Sequence, residues 1–153
     1  MGAYMDNDSA FVEVRQVTDD DAEDISRLCL EGLGYRCDRI LVKNRISQLD
    51  PEREAVFVAV NNGTVVGFIH VELYHTLYFE PMANILGLSV SGKLRKNGIG
   101  KLLLVQAENW ADEHDITLMR LNTGANRSNA HEFYRHMGYR MEKEQYRFAK
   151  RLD

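Results

Sequence analysis

The sequence predicts a mixed α/β fold, and three observations carry that prediction. Short runs that alternate apolar and polar residues, such as Phe11–Val17, read as half-buried strands. Asn61-Asn62-Gly63 separates two strand-like runs with residues that tolerate positive φ, a hairpin signal. Between the strand-like runs lie stretches with apolar residues at helical spacing, most clearly from Gly98 to His114. At 153 residues the chain is the size of one ordinary domain. We expect that domain to occupy 11–153, behind a polar start at 1–10 that is frayed or disordered.

In chain order, Phe11–Val17 is the first full strand. Thr18 then precedes Asp19, Asp20 and Asp21, a hydroxyl cap followed by acidic residues where a helix dipole favours them. Ile25, Leu28 and Cys29 give that helix its buried face, and Gly32 and Gly34 end it. A second helix runs from about Asp38 to Leu49, with Val42, Ile46 and Leu49 on one side, and stops at Asp50-Pro51. Glu54–Val60 and Thr64–His75 form the hairpin. In its second strand Ile69, Val71 and Leu73 share one face, and His70, Glu72 and Tyr74 the other. Met82–Val90 is the next strand, the helix from Gly98 follows, and Thr117–Asn122 is another strand. Ala130, Phe133, Tyr134 and Met137 mark a shorter helix that Gly138 ends, and Tyr139–Lys150 is long enough for a last strand.

Chemistry concentrates between Leu88 and Leu104, a strand leading through a basic, glycine-bearing loop into a helix. That arrangement points unpaired backbone N–H groups and a positive helix end at an anion. A nucleoside-triphosphate loop needs a glycine where Arg95 stands and a hydroxyl where Leu102 stands. A dinucleotide fingerprint needs a third glycine where Leu103 stands. What remains is Arg95-x-x-Gly98-x-Gly100, which is either a pyrophosphate-binding loop or a glycine-rich turn capping an ordinary helix.

That hexapeptide resembles the (Gln/Arg)-x-x-Gly-x-(Gly/Ala) pyrophosphate loop of the GNAT superfamily, the acyl-coenzyme-A-dependent N-acetyltransferases. A second stretch, Asn129-Ala130-His131-Glu132-Phe133-Tyr134 closing with Gly138-Tyr139, resembles the fourth-helix motif of the same superfamily. Two motifs in family order, separated by a helix and a strand, are more specific than either alone. The resemblance implies a twisted, mostly antiparallel central sheet of six to seven strands flanked by about four helices. It also implies acetyl transfer from acetyl-CoA to an amine by direct attack, with no metal. Three positions depart from the pattern: Arg127 where many members carry Asn, Ser91 where proline is common, and Asn84 where a strand glutamate often acts as base.

The resemblance implies roles for particular residues. Arg95, Lys96, Asn97, Gly98, Ile99, Gly100 and Lys101 would hold the pyrophosphate. Leu88, Ser89 and Val90 would pair with the pantetheine arm in the manner of an added strand, and the Val90 N–H would face the oxyanion. Tyr134 is the implied general acid, and Asn129 would bond the carrier or cap its helix. Removing the amine's proton needs a base near neutral pH. The candidates are Glu72, His70, Tyr74 and Glu80, with Glu72 acting through water as our assignment and His70 and Tyr74 as substrate contacts. Leu33–Arg39 corresponds to a segment that commonly helps form the acceptor pocket.

Composition bounds the partners. The formal net charge of -4 argues against a nucleic-acid-binding face and favours amine-bearing partners. Cys29 and Cys37 fit neither a disulfide framework nor a zinc site and read as thiols in a reducing cytoplasm. Nothing resembles a secretory signal or a membrane-length apolar run. The expectation is therefore a cytoplasmic enzyme for a small-molecule or peptide amine, with a homodimer compatible with the family. The alternative is a non-catalytic coenzyme-A-binding or regulatory module of the same fold.

Overall fold

The computed structural model describes residues 3–5, 11–95 and 97–153. They divide into two compact units, Met1–Leu121 and Asn122–Asp153. The first unit is built on a six-stranded sheet whose spatial order follows the chain: β1 (Ala3–Met5), β2 (Phe11–Gln16), β3 (Glu54–Asn61), β4 (Thr64–Tyr74), β5 (Met82–Val90) and β6 (Met119–Leu121). Neighbours are antiparallel except β5 and β6, which run parallel. The helices of this unit are α1 (Ala22–Leu28), α2 (Arg39–Ser47) and α3 (Ile99–Glu113). The second unit contains α4 (Ser128–His136). A mixed sheet of six strands with four helices is the expected fold class. Within the stretch expected to fray, Ala3–Met5 pairs with β2, and the rest of 1–10 lies outside the described residues.

The hairpin forms for the reason the sequence suggests. Asn61 pairs with Thr64, and between them Asn62 (φ 50°) and Gly63 (φ 79°) both adopt positive φ, the two-residue turn whose twist matches the strands. Period-two alternation then sorts side chains onto two faces. Val56, Val58, Val65 and Phe68 pack with Ile25 and Leu28 of α1, joined by Val42, Ile46 and Leu49 around α2. On the other face lies α3, with Leu103, Leu104 and Ala107 fully buried. Gly67 permits that closeness: a Cβ there would stand 3.0 Å from Leu103 Cδ1 and 3.1 Å from the Ser89 carbonyl oxygen.

Two local outcomes differ from expectation. The acidic run after Thr18 stands in the first turn as expected, but that turn is a short 3-10 turn ahead of α1, and Asp21, its third residue, is buried. Its carboxylate accepts the Thr18 N–H at 2.7 Å and two Arg15 N–H groups at 2.8 and 2.9 Å. Tyr139–Lys150 forms no strand. Length gives room for a strand, not a neighbour to pair with, and the four consecutive polar residues 142–145 offer no alternating apolar face. Tyr146 and Phe148 remain 91% and 93% exposed.

Candidate active site

The sheet opens at one place. β6 pairs only with Ala83–Ile85, while across β5 the register with β4 shifts between Val71↔Ile85 and His70↔Gly87, leaving Leu86 as an extra residue. From Gly87 to Val90, β5 therefore has β4 on one side and no strand of the described residues on the other. The ladder fixes which groups face the gap. The Ser91 N–H donates to the Val66 carbonyl at 2.7 Å, so the register places Val90 and Leu88 in the non-hydrogen-bonded pairs with Gly67 and Ile69. Their N–H and C=O groups thus point away from β4, into the opening. Ser89 points its side chain to the α1 face instead, and its hydroxyl donates to the Leu28 carbonyl at 2.9 Å. The Ser91 bond also accounts for one departure from the family pattern, since a proline there has no N–H to give.

The glycine loop follows directly. After a 3-10 turn at Gly92–Leu94, Gly98 takes φ 80° as the N-cap of α3, a conformation that suits glycine. Leu102 N–H to the Gly98 carbonyl is the first bond of the helix, at 3.0 Å. The N–H groups of Ile99, Gly100 and Lys101 are consequently without intrahelical acceptors, at the positive end of a 15-residue helix with no acidic residue in its first turn. Ile99 buries its side chain against Gly67, and Lys101 is exposed. Arg95 is exposed and reaches the Val90 carbonyl with a long bond of 3.4 Å. Asn97 is half-buried, and Lys96 lies outside the described residues. Peptide groups facing an unpaired edge, next to an anion-favouring helix start, suit a ligand that carries amides along one part and phosphates along another.

On the α1–α2 face, next to the opening, lies a polar row. Glu72 and Asn84 face each other across β4 and β5, and the Asn84 Nδ2 donates to Glu72 Oε2 at 2.8 Å. Arg120 from β6 donates to Asn84 Oδ1 at 2.8 Å and lies over the Tyr74 ring, 4.5 Å from its centroid. His70 is engaged by Glu54 of β3, Nε2 to Oε1 at 2.8 Å. Glu80 is elsewhere, in a surface hollow with His75, Pro81, His114 and Asp115. Leu33, in the π-helical turn Cys29–Leu33 that follows α1, comes over Gly87 just past the bulge. That turn is secured by Glu31, whose carboxylate accepts the Gly92 N–H at 2.6 Å. Arg120 and Glu31 were not legible as site residues, because both are placed by partners distant in sequence. Among the described residues no three His, Cys, Asp or Glu side chains gather as a metal site.

In the second unit Tyr134 is half-buried on α4, edge-on to Phe133 at 5.2 Å. Burial pushes its phenol above the usual tyrosine range, and the nearby positive charge of Arg127 pulls the other way with smaller effect. The N-cap of α4 is Arg127, with no side-chain cap bond, so Asn129 is not the cap and stands exposed in the first turn.

A sheet parted beside a helix that begins at a glycine loop is a cleft suited to an amide- and phosphate-bearing ligand, and comparison with known proteins supplies the class. Residues 20–139 match the model of the Acetyltransferase (GNAT) family. The chain is 31% identical over 143 residues to the aminoalkylphosphonate N-acetyltransferase of Salmonella typhimurium, covering 92% of this chain and 91% of that one. Among solved structures, a transcriptional regulator from Bacillus halodurans superposes with a TM-score of 0.81 at 23% identity, over 91% of this chain and 99% of that chain. The aminoglycoside acetyltransferase AAC(6')-Iy, in complex with a bisubstrate analogue, superposes at 0.77 and 18% identity, over 92% of this chain and 99% of that chain. This chain belongs to the GNAT acetyltransferase family.

Proposed function

We propose that residues 11–153 form one cytoplasmic N-acetyltransferase domain that moves an acetyl group from acetyl-CoA to the primary amine of a small molecule or peptide. The observation that carries this reading is the unpaired edge at Leu88 and Val90 beside the helix start at Gly98. The free N–H groups of Ile99, Gly100 and Lys101, with the charge of Lys101 and Arg95, suit a pyrophosphate. The peptide groups of Leu88 and Val90 suit the amides of a pantetheine arm. When bound, acetyl-CoA supplies an activated thioester carbonyl. The Val90 N–H then stabilises negative charge developing on the carbonyl oxygen, a role worth about 3 kcal/mol when preorganised.

Glu72 takes a proton from the acceptor ammonium through water, freeing the nitrogen lone pair for direct attack. Tyr134 gives its phenolic proton to the departing thiolate, and its raised range keeps that proton in place at neutral pH. The named acceptor of the Salmonella relative supports a small amine as the first class to try.

The test is the thermal midpoint with and without acetyl-CoA, followed by turnover with amines that include an aminoalkylphosphonate, an aminoglycoside and a lysyl peptide. Ligand at 100 times its Kd adds about 2.7 kcal/mol of stability. A clear upward shift and turnover of one amine are expected. Absence of any shift at millimolar coenzyme would remove the catalytic reading, and a shift without turnover would favour a coenzyme-binding module.

A further inference from the structure

Asn84 occupies a buried position between an anion and a cation. Glu72 lies on one side of its amide and Arg120 on the other, each at 2.8 Å. The pairing fixes the orientation of the amide, because guanidinium can only donate and an ionised carboxylate can only accept. Oδ1 must face Arg120 and Nδ2 must face Glu72. Few side chains serve both neighbours: aspartate would repel Glu72, and an apolar residue would abandon both. Arg120 is itself steadied over the ring of Tyr74, which shares a strand face with Glu72 two residues away. The chain thus closes on itself, Glu72 to Asn84 to Arg120 to Tyr74, across β4, β5 and β6. Glu72 Oε2 is occupied, and Oε1 takes no hydrogen bond from the described residues.

We propose that Asn84, held by Arg120, is a positioning residue for the Glu72 carboxylate, keeping Oε2 tethered so that Oε1 faces the acceptor amine. The inference rests on Glu72 as base. One proton passes from the ammonium group through water to Oε1, Glu72 becomes the neutral acid, and the nitrogen keeps the electron pair that attacks. A carboxylate on the neighbouring strand, tied to an amide, thereby serves a position at which this chain has no strand glutamate on β5.

Asn84→Leu and Asn84→Asp in the full chain test it, with an aminoalkylphosphonate and an aminoglycoside as acceptor probes. Asn84→Leu is expected to lower kcat about 10- to 100-fold, with the amine KM within about 3-fold, and to move the acid limb of the pH–rate profile upward. Asn84→Asp should move that limb further, because two carboxylates at hydrogen-bond distance resist ionising together. A second readout needs no turnover. In the unliganded protein the side-chain amide protons of Asn84 should shift as a carboxyl titrates, and Glu72→Gln should abolish that shift.

An unchanged kcat and acid limb in Asn84→Leu, or a loss confined to KM, would overturn the proposal. If the leucine variant fails to fold, the near-isosteric Asn84→Asp, which keeps a partner for Arg120, decides by the same limb. Full activity of Glu72→Gln would remove the base itself and with it the catalytic purpose of the tether. Asn84 protons that ignore Glu72 would remove the tether and leave the base standing.

Discussion

Tyr139 donates its backbone N–H to the Tyr134 carbonyl at 2.9 Å, and the two rings stand edge to face with centroids 5.9 Å apart. Gly138, at φ 93°, makes the turn between them and donates to the Arg135 carbonyl at 3.0 Å. This pair of bonds closes α4 and satisfies the Tyr134 and Arg135 carbonyls near its end. The Gly-Tyr that follows the helix therefore braces the tyrosine three residues inside it. A phenol raised above its usual range stays protonated throughout neutral pH, so Tyr134 should impose no basic limb below the ordinary tyrosine range of about 10. Tyr134→Phe is expected to lower kcat by roughly 100- to 10,000-fold while the acetyl-CoA thermal shift is retained. Wild-type turnover in that variant would send the search for the acid elsewhere.

Two of the four positive-φ glycines among the described residues make a matched experiment. Gly98 (φ 80°) and Gly138 (φ 93°) both hold a conformation that costs other residues about 1–2 kcal/mol. Gly98→Ala and Gly138→Ala should each lower the stability of the unliganded protein by about that amount, read from denaturant midpoints. Only Gly98→Ala should diminish the upward shift given by acetyl-CoA, since Gly98 shapes the helix start. Equal coenzyme shifts in both variants would mean that the loop does not hold the phosphates.

Asp21 links acid stability to a particular pair. Burial alone would raise its carboxyl, but hydrogen bonds from Arg15 and the Thr18 N–H outweigh burial and hold it below the usual range. A depressed carboxyl adds stability above its unfolded value of about 3.9 and loses it as pH falls through the folded value. Asp21→Asn should cost about 1–3 kcal/mol near neutrality. In acid-unfolding curves the difference from wild type should shrink below about pH 4 and vanish at lower pH. A difference constant with pH would assign the loss to packing rather than charge.

How far the sequence disclosed this molecule depends on the range of the interactions involved. The Asn62-Gly63 turn, the helix start at Gly98 and the end of α4 at Gly138 are local events, and each was legible because one residue's φ preference decides it. The opening of the sheet was not. It requires the Leu86 bulge and the short parallel β6 to coincide, and register is a relation between strands. The role of Asn84 was hidden for the same reason. As a letter it is an absent glutamate, and only the pairing with Glu72 and the approach of Arg120 reveal what it does. His70 shows the converse. Its place on the polar face was readable, but its engagement by Glu54 depends on the β3–β4 register.

Cys29 bears on whether transfer is direct. Burial, followed by the neighbouring Cys37, pushes its thiol up to about 12. The thiolate is the nucleophile, so at pH 8 such a group holds roughly a thousandth of the thiolate that an ordinary cysteine would. Cys29 should therefore resist iodoacetamide under conditions that alkylate a typical thiol, as read by peptide mass spectrometry. It should also remain unacetylated when the protein is held with acetyl-CoA and no amine, because a protonated, half-buried thiol is a poor acceptor of an acyl group. Direct attack by the amine requires no such intermediate. An acetylated Cys29 peptide that disappears when amine is added would replace direct attack with a two-step route through the thiol.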